Sequence, residues 1–329
     1  MSKFFTIMLC LLSFCVLAQK PKPIPVIFDT DIAGDYDDVG AMALLHAFAD
    51  AGEAKILATI SCNAFETTVP TISVLNTYFG RPNIPTGITK KEKPNMSCSQ
   101  KWAEAIVEKY PHSLKSNAEA IEAVKLYRQI LAKQPDNSVT IITVGFFTNL
   151  ADLLDSPPDA FSKLSGKELV KLKVKSLVSM AAGLNDKQRG HEYNVHIDTK
   201  ASQKVFSEWN TPIILSGFEV GEKIRTGIRL INNEAIQHSP VKDAYQVALN
   251  KDKNTVGRNS WDQTAVLVAI RGIEPYFSSK KLNFEITDDG SNVLIPGERL
   301  VYLTDKMPTS EVTTIIEDLM MYQPKSKKK

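Results

Sequence analysis

The chain reads as an α/β protein built on a mainly parallel open sheet with helices on both faces. Two observations carry that reading. Short apolar runs of strand length recur along the chain, and each is followed by a loop and then an amphipathic or apolar helical pattern. The runs are apolar at nearly every position, which suits strands covered on both faces better than strands with one wet face.

In order, the strand candidates are "PVIFD" (25–29), "KILATI" (55–60), "SVTIITV" (138–144), "KSLVSM" (175–180) and "TPIILSG" (211–217). Their following helices are "DDVGAMALLHAFADAG", "VPTISVLNTYFG", "NLADLLD", "DTKASQKVFSEW" and "FEVGEKI". Residues 99–134 add two helical patterns, "SQKWAEAIVEKY" and "NAEAIEAVKLYRQILAKQ", and residues 232–272 add more helix ending in "NSWDQTAVLVAIRG". A strand pair, "KLNFEITDD" and "RLVYLTD", precedes a last helix at about 309–321. Neither an internal repeat nor a low-complexity linker divides the body, so one domain is expected over 19–321, followed by a basic tail at 322–329.

Residues 1–18, "MSKFFTIMLCLLSFCVLA", have the early lysine, apolar stretch and small residues at Val16 and Ala18 of a secretory leader cleaved after Ala18. The apolar run from Phe4 to Ala18 falls short of the roughly 20 residues that span a bilayer. Cys15 raises lipidation as an alternative, against which Phe14 is bulky for that processing. An exported protein, periplasmic or secreted, is the expectation, with no membrane insertion after cleavage. The formal charge of +2 becomes +1 without Lys3 and −3 without the four lysines of "PKSKKK", so the body is no nucleic-acid binder. Cys62 and Cys98 remain after cleavage, too few for a disulfide scaffold and without zinc spacing, although one bridge between them is allowed. A homo-oligomer is left open.

The chemistry concentrates in "FDTDIAGDYDDVGA", where Asp29, Asp31, Asp35, Asp37 and Asp38 crowd one strand-to-helix turn. Carboxylates this close raise one another's pKa unless a cation compensates. Asp35 suits a local role in the turn, and helix starts welcome negative charge. Asp29 and Asp31 at the strand end, with the pair Asp37 and Asp38, point to a hard, oxygen-liking cation such as calcium or magnesium. An EF-hand does not fit, because Gly40 falls where a bidentate Glu belongs. A strand ending in DxD also begins phosphatases of the haloacid dehalogenase type, although Ala33 stands where those usually have Thr or Val.

These segments, taken in order, resemble the inosine-uridine nucleoside hydrolase family over residues 25 to about 270. "FDTDIAGDYDDVGA" resembles its opening aspartate signature, "ATISCNAF" its second strand, "ITVGFFTNLADLL" its TG-x-LTNLA segment, and "LVSMAAG" its MGG segment. "HEYNVHIDTKAS" is similar to EFN-x-x-x-DPEAA, and "NSWDQTAVL" stands where HDPLA is expected. The resemblance implies a nucleoside hydrolase fold with a Rossmann-like core and calcium-dependent cleavage of an N-riboside to ribose and free base. It implies calcium held by Asp31, Asp38, Asp262 and the Val144 carbonyl, with Asp31 as general base. Asp37, Asn63, Glu192 and Asn194 would bind the sugar, and Asp29 would orient the others from behind. Trp261, read from its residue type alone, could stack on a base or another flat aglycone or be a packed aromatic.

Each residue also has a plain structural reading. Asn63 could cap a helix, Glu192 and Asn194 could be loop residues, Asp198 reads as an N-cap, and Asp262 suits a first helical turn. The chain departs from the family where leaving groups are protonated. Trp261 replaces the histidine before the late aspartate, "IPTGITKKEKPNMSCS" has no histidine, and the asparagine preceding EFN has only Asn185 as a counterpart. His191, His196 and Tyr193 lie close enough in sequence to be considered as replacement acids, a loop histidine being more often a plain surface residue. The alternatives are a calcium- and ribose-binding protein of the same fold that does not cleave, and the phosphatase.

Overall fold

A computed structural model describes residues 22–90, 94–184 and 191–324. Residues 1–18, Asn185 and the last five residues of the basic tail lie outside the described residues. Among the described residues no helix is long and apolar enough to cross a membrane.

Nine strands form one sheet: β1 (Ile24–Thr30), β2 (Ala54–Ser61), β3 (Thr86–Ile88), β4 (Ile121–Glu122), β5 (Val139–Thr143), β6 (Val174–Met180), β7 (Ile213–Ser216), β10 (Phe277–Ile286) and β11 (Asn292–Asp305). Their spatial order is β10-β11-β7-β6-β5-β1-β2-β3-β4. All neighbours run parallel except β10 and β11, which pair antiparallel at one edge. Two further short strands, β8 (Arg225–Thr226) and β9 (Arg258–Asn259), make a separate antiparallel pair.

The apolar runs are buried on both faces, as two-sided coverage requires. Val26 and Phe28 of β1, with Ile142 and Val178, pack against the helices Asp37–Asp50, Pro240–Lys251 and Trp261–Arg271. Ile27, Ile141 and Leu177 alternate to the other face, against the helices Ala123–Leu131, Thr148–Asp155 and Thr199–Glu208. Val26, Ile27 and Phe28 are fully buried. Each such side chain is worth about 1.5–3 kcal/mol, which anchors the strand end on which a costly group of carboxylates sits.

The pattern at 117–134 does not form one helix. Ile121 and Glu122 instead pair with Gly87 and Ile88 as the edge strand β4. The Glu122 carboxylate then accepts from the amides of Val124 (3.0 Å) and Lys125 (2.7 Å), restarting the chain as the helix Ala123–Leu131. "FEVGEKI" gives only the single turn Phe218–Gly221, and β10 begins at Phe277, ahead of the expected "KLNFEITDD". An additional helix, Gly166–Lys173, opens with a capping box between Ser165 and Glu168, a signature legible in "SGKE".

Candidate active site

In parallel sheets of this kind a crevice opens where the connections leave neighbouring strands in opposite directions, at the strands' carboxyl ends. Here that point lies between β1 and β5, since β1 leads to β2 on one side while β5 leads to β6 on the other. A cavity of about 250 Å³ sits there, lined among others by Asp31, Asp35, Asp37, Val144, His191, Glu192, Tyr193, Asn194, Trp261 and Asp262.

The backbone at its floor is tightly packed. A Cβ on Gly145 would lie 2.6 Å from the Asp31 amide nitrogen and 2.8 Å from Asp31 Cβ, so only glycine lets the loop after β5 pass the aspartate turn. Ala33 adopts φ 80°, the left-handed conformation that a side chain disfavours, and thereby reverses the chain between Asp31 and Asp35. The Thr30 hydroxyl donates to Asp38 Oδ1 and receives the Ile32 amide at 3.2 Å, which fixes the strand end to the first turn of the helix Asp37–Asp50.

Around this turn the carboxylates converge. Asp35, Asp38 and Asp262 each present an oxygen, and these oxygens lie within 4.8 Å of one another. Asp38 Oδ2 is buried and has no hydrogen-bond partner among the described residues. Burial first, then the surrounding carboxylates, pushes Asp31, Asp38 and Asp262 well above the ordinary carboxylate range. Burial likewise pushes Asp29 up to about 7, against hydrogen bonds from Tyr127 and Asn149.

One cation in the cluster had not been expected. Arg258 donates from Nε to Asp37 Oδ1 (2.8 Å) and from a terminal nitrogen to Asp35 Oδ2 (2.5 Å). Its guanidinium also lies over the rings of Tyr36 (5.3 Å) and Trp261 (5.0 Å). Burial works to raise Asp35, but Arg258 together with hydrogen bonds from the Asp37 and Asp38 carboxyls holds it below its usual value. For Asp37 burial prevails over the same guanidinium and the carboxyl is pushed up to about 8. Arg258 is the cation nearest before Asp262 in "GRNSWDQ", the one sequence sign of its role.

Among the expected metal ligands, Asp31, Val144 and Asp262 line the cavity, and Asp38 lies in the carboxylate group. Asp35, expected only to shape the loop, belongs to that group as well, because the turn at Ala33 folds it back toward Asp262. Asp29 lies behind, fully buried, accepting from Tyr127 Oη (2.7 Å) and from Asn149 Nδ2 (3.3 and 3.1 Å). Tyr127 had no sequence signal, being one apolar-stripe residue among many in "VKLYRQIL".

The expected sugar contacts fare differently. Asn63 does not line the cavity. Its amide donates to the carbonyls of Asp31 (3.1 Å), Ile32 (3.3 Å) and Met96 (2.8 Å), and its oxygen accepts the amides of Phe65 (3.1 Å) and Met96 (2.9 Å). It braces the aspartate turn, and the substrate contact expected of it is corrected accordingly. Asp37 lines the cavity but already pairs with Arg258. Glu192 caps the turn Tyr193–His196, accepting from Asn194 (3.0 Å) and Val195 (3.2 Å) as well as from the Ala182 amide (2.9 Å). Asn194 donates to the carbonyls of Val144 and Met180, both at 3.1 Å.

Trp261 lines the cavity, tilted against Phe218 with ring centroids 5.2 Å apart, and its Nε1 donates to the Phe218 carbonyl at 2.9 Å. Of the replacement acids, His191 and Tyr193 line the cavity whereas His196 does not. Asp198 is the N-cap expected of it, accepting the Ala201 amide at 3.2 Å. Cys62 and Cys98 are both buried free thiols, so the possible bridge between them is not formed.

Comparison with known proteins agrees with this geometry. The family model described as "Inosine-uridine preferring nucleoside hydrolase" matches residues 26–319. A curated relative, the pyrimidine-specific ribonucleoside hydrolase RihA of Klebsiella pneumoniae, is 26% identical over 208 residues, covering 60% of this chain and 61% of that protein. The match thus spans less than two thirds of the relative's length. Among solved structures, the inosine-uridine preferring nucleoside hydrolase of Bacillus anthracis superposes with a TM-score of 0.68 at 16% identity, covering 91% of this chain and 99% of that one. The type III effector protein XopQ, solved with adenosine diphosphate ribose, gives 0.66 at 12% identity, covering 91% and 93%. By the extent of the family match, the chain belongs to the inosine-uridine preferring nucleoside hydrolase family.

Proposed function

We propose that the protein is a divalent-cation-dependent hydrolase of N-ribosides, releasing ribose and a free base. The observation that carries this reading is the convergence of Asp35, Asp38 and Asp262, whose oxygens lie within 4.8 Å of one another, beside Asp31 on the cavity wall, with one buried oxygen of Asp38 unpartnered among the described residues. An all-oxygen donor set of this charge suits a hard cation, and calcium is the ion the family resemblance implies. Asp31, Asp38, Asp262 and the Val144 carbonyl would hold it, with Asp35 adjoining. The Val144 carbonyl accepts only from Asn194 among the described contacts, and a carbonyl oxygen has two lone pairs. When bound, such an ion offsets the carboxylate charge, holds ribose hydroxyls and makes water more acidic.

The chain's own groups supply the rest. Asp31, exposed to the cavity at the strand end, takes the proton of the attacking water. Its carboxylate and its neighbours favour the positive charge that develops on the ribosyl ring as the glycosidic bond lengthens. Asp29, Tyr127, Asn149 and Asn63 do not reach substrate and keep this turn rigid. Trp261 and Phe218 form an aromatic wall suited to a flat aglycone. Family membership removes the phosphatase reading, and the leader-like first 18 residues support export.

Incubation with purine, pyrimidine and nicotinamide ribosides is expected to release ribose. Asp31→Asn is expected to slow release by about 10²–10⁴-fold. A second reading, a riboside-binding protein without turnover, is favoured by one observation: Trp261 stands in place of the family's histidine and its Nε1 is committed to the Phe218 carbonyl. Calorimetric affinity for a riboside with no ribose released from any panel member would establish that reading instead.

A further inference from the structure

We infer that His191 is the proton donor to the departing base, an assignment that rests on the hydrolase reading of this cavity. Trp261 cannot take that role, since indole is no acid near neutrality and its N–H is already used. Among the described residues lining the cavity, His191 is the single imidazole and Tyr193 the single tyrosine; Asp37, though pushed up to about 8, is paired with Arg258. Burial, with Asp31 and Asp35 behind it, pushes the Tyr193 phenol up to about 12, far from the pH at which proton transfer to a leaving base is efficient. Imidazole is the side-chain class whose proton moves near neutrality.

The surroundings of His191 hold its ring in place. Its Nδ1 lies 2.9 Å from Ser291 Oγ, and its ring stacks on His196 with centroids 4.5 Å apart and planes 9° from parallel. His196 Nδ1 in turn meets the Asp289 carbonyl at 3.2 Å. The turn carrying Asp289 and Ser291 approaches this pair through Gly290, at φ 82°, where a Cβ would lie 2.5 Å from His196 Nδ1. The Thr287 hydroxyl and the Ser291 amide hold the Asp289 carboxyl down at about 2, leaving a fixed negative charge beside the imidazole pair. Among the described residues, the charged and titratable groups near His191 include His196, Asp289, Glu192 and Tyr193. Ser291 is a positioning residue.

The step balances as follows. The bond between the anomeric carbon and the base nitrogen breaks, and its electron pair leaves with nitrogen. The His191 imidazolium gives its proton to that nitrogen. Water bonds to the anomeric carbon and yields a proton to Asp31, and solvent returns that proton to His191. The net reaction is riboside plus water to ribose plus base.

The test compares kcat/KM for a nucleoside with that for p-nitrophenyl β-D-riboside, whose leaving group departs without protonation. His191→Gln is expected to lose about 10²-fold or more on the nucleoside and much less on the nitrophenyl riboside, which also reports that the variant is folded. Ser291→Ala is expected to show a smaller loss of the same selectivity. Equal losses on both substrates, no loss on either, or selective loss in Tyr193→Phe but not His191→Gln would overturn the assignment. If the unaltered protein cleaves neither substrate, the hydrolase reading fails and the assignment with it. Cleavage of the nitrophenyl riboside alone leaves the hydrolase reading standing but overturns His191 as an effective donor.

Discussion

Asp38 shows at a single residue what the site requires. One oxygen is held by Thr30, and the other is buried beside further carboxylates with no hydrogen-bond partner among the described residues. Keeping a carboxyl there costs stability, because it is either a buried charge or must take up a proton that the unfolded chain does not hold near neutrality, and a cation bound there would offset that cost. Asp38→Asn is therefore expected to leave the melting temperature of chelated protein unchanged or raised, and to remove most of the increase that calcium gives the parent, measured by thermal melts. Gly145 makes the opposite point, through space. Gly145→Ala forces a methyl onto Asp31 backbone that has nowhere to move, and is expected to cost about 1–3 kcal/mol in denaturant titration and to depress turnover. Much of the site was legible at this scale, because Asp31, Asp38 and Asp262 are recognisable by type and by position after a strand or at a helix start. Asn63 was not, since its type is the same whether it faces a sugar or braces three carbonyls. Arg258 was missed because its partners, Asp35 and Asp37, lie more than 200 positions away.

At the scale of elements, the legible parts were those whose pattern is enforced by burial on both sides. The five central strand candidates correspond to β1, β2, β5, β6 and β7. The short strands β3 and β4 escaped notice because two or three residues carry no periodicity, and β4, at the edge, interrupted a sequence that is helical in propensity. Helix packing also yields a pH dependence. His46, on the helix Asp37–Asp50, is fully buried, with Nε2 3.0 Å from Asn76 Oδ1 and its ring stacked on Phe79 at 4.6 Å. Burial, aided by the positive charge of Arg81, depresses it to about 3 from an ordinary 6.5. The folded state thus binds fewer protons than the unfolded chain between these values. The stability it supports is intact above about 6.5 and is lost as pH falls toward 3. One such group contributes a slope of up to about 1.4 kcal/mol per pH unit. His46→Gln is expected to flatten the decline in folding free energy between pH 6.5 and 4.5 relative to the parent. An unchanged slope would show that His46 is accessible to protons in the folded state.

The whole molecule sets a repulsive cluster on the strongest part of its scaffold. Asp29, Asp31, Asp35, Asp37, Asp38 and Asp262 meet at the ends of central strands whose side chains are buried on both faces, with Arg258 as the cation paired to two of them. Sheet order places this cluster at the crevice between β1 and β5, so the fold that tolerates the charge also opens it to a ligand. The order of motifs along the chain made the family readable, whereas the way the cavity closes around Arg258, His191 and Ser291 depends on contacts that sequence order does not encode. The account stands most directly on the rate of ribose release from the best riboside, measured before chelation, after chelation and after calcium is restored. It predicts release that chelation abolishes and calcium recovers; release that persists unchanged in chelator would contradict it.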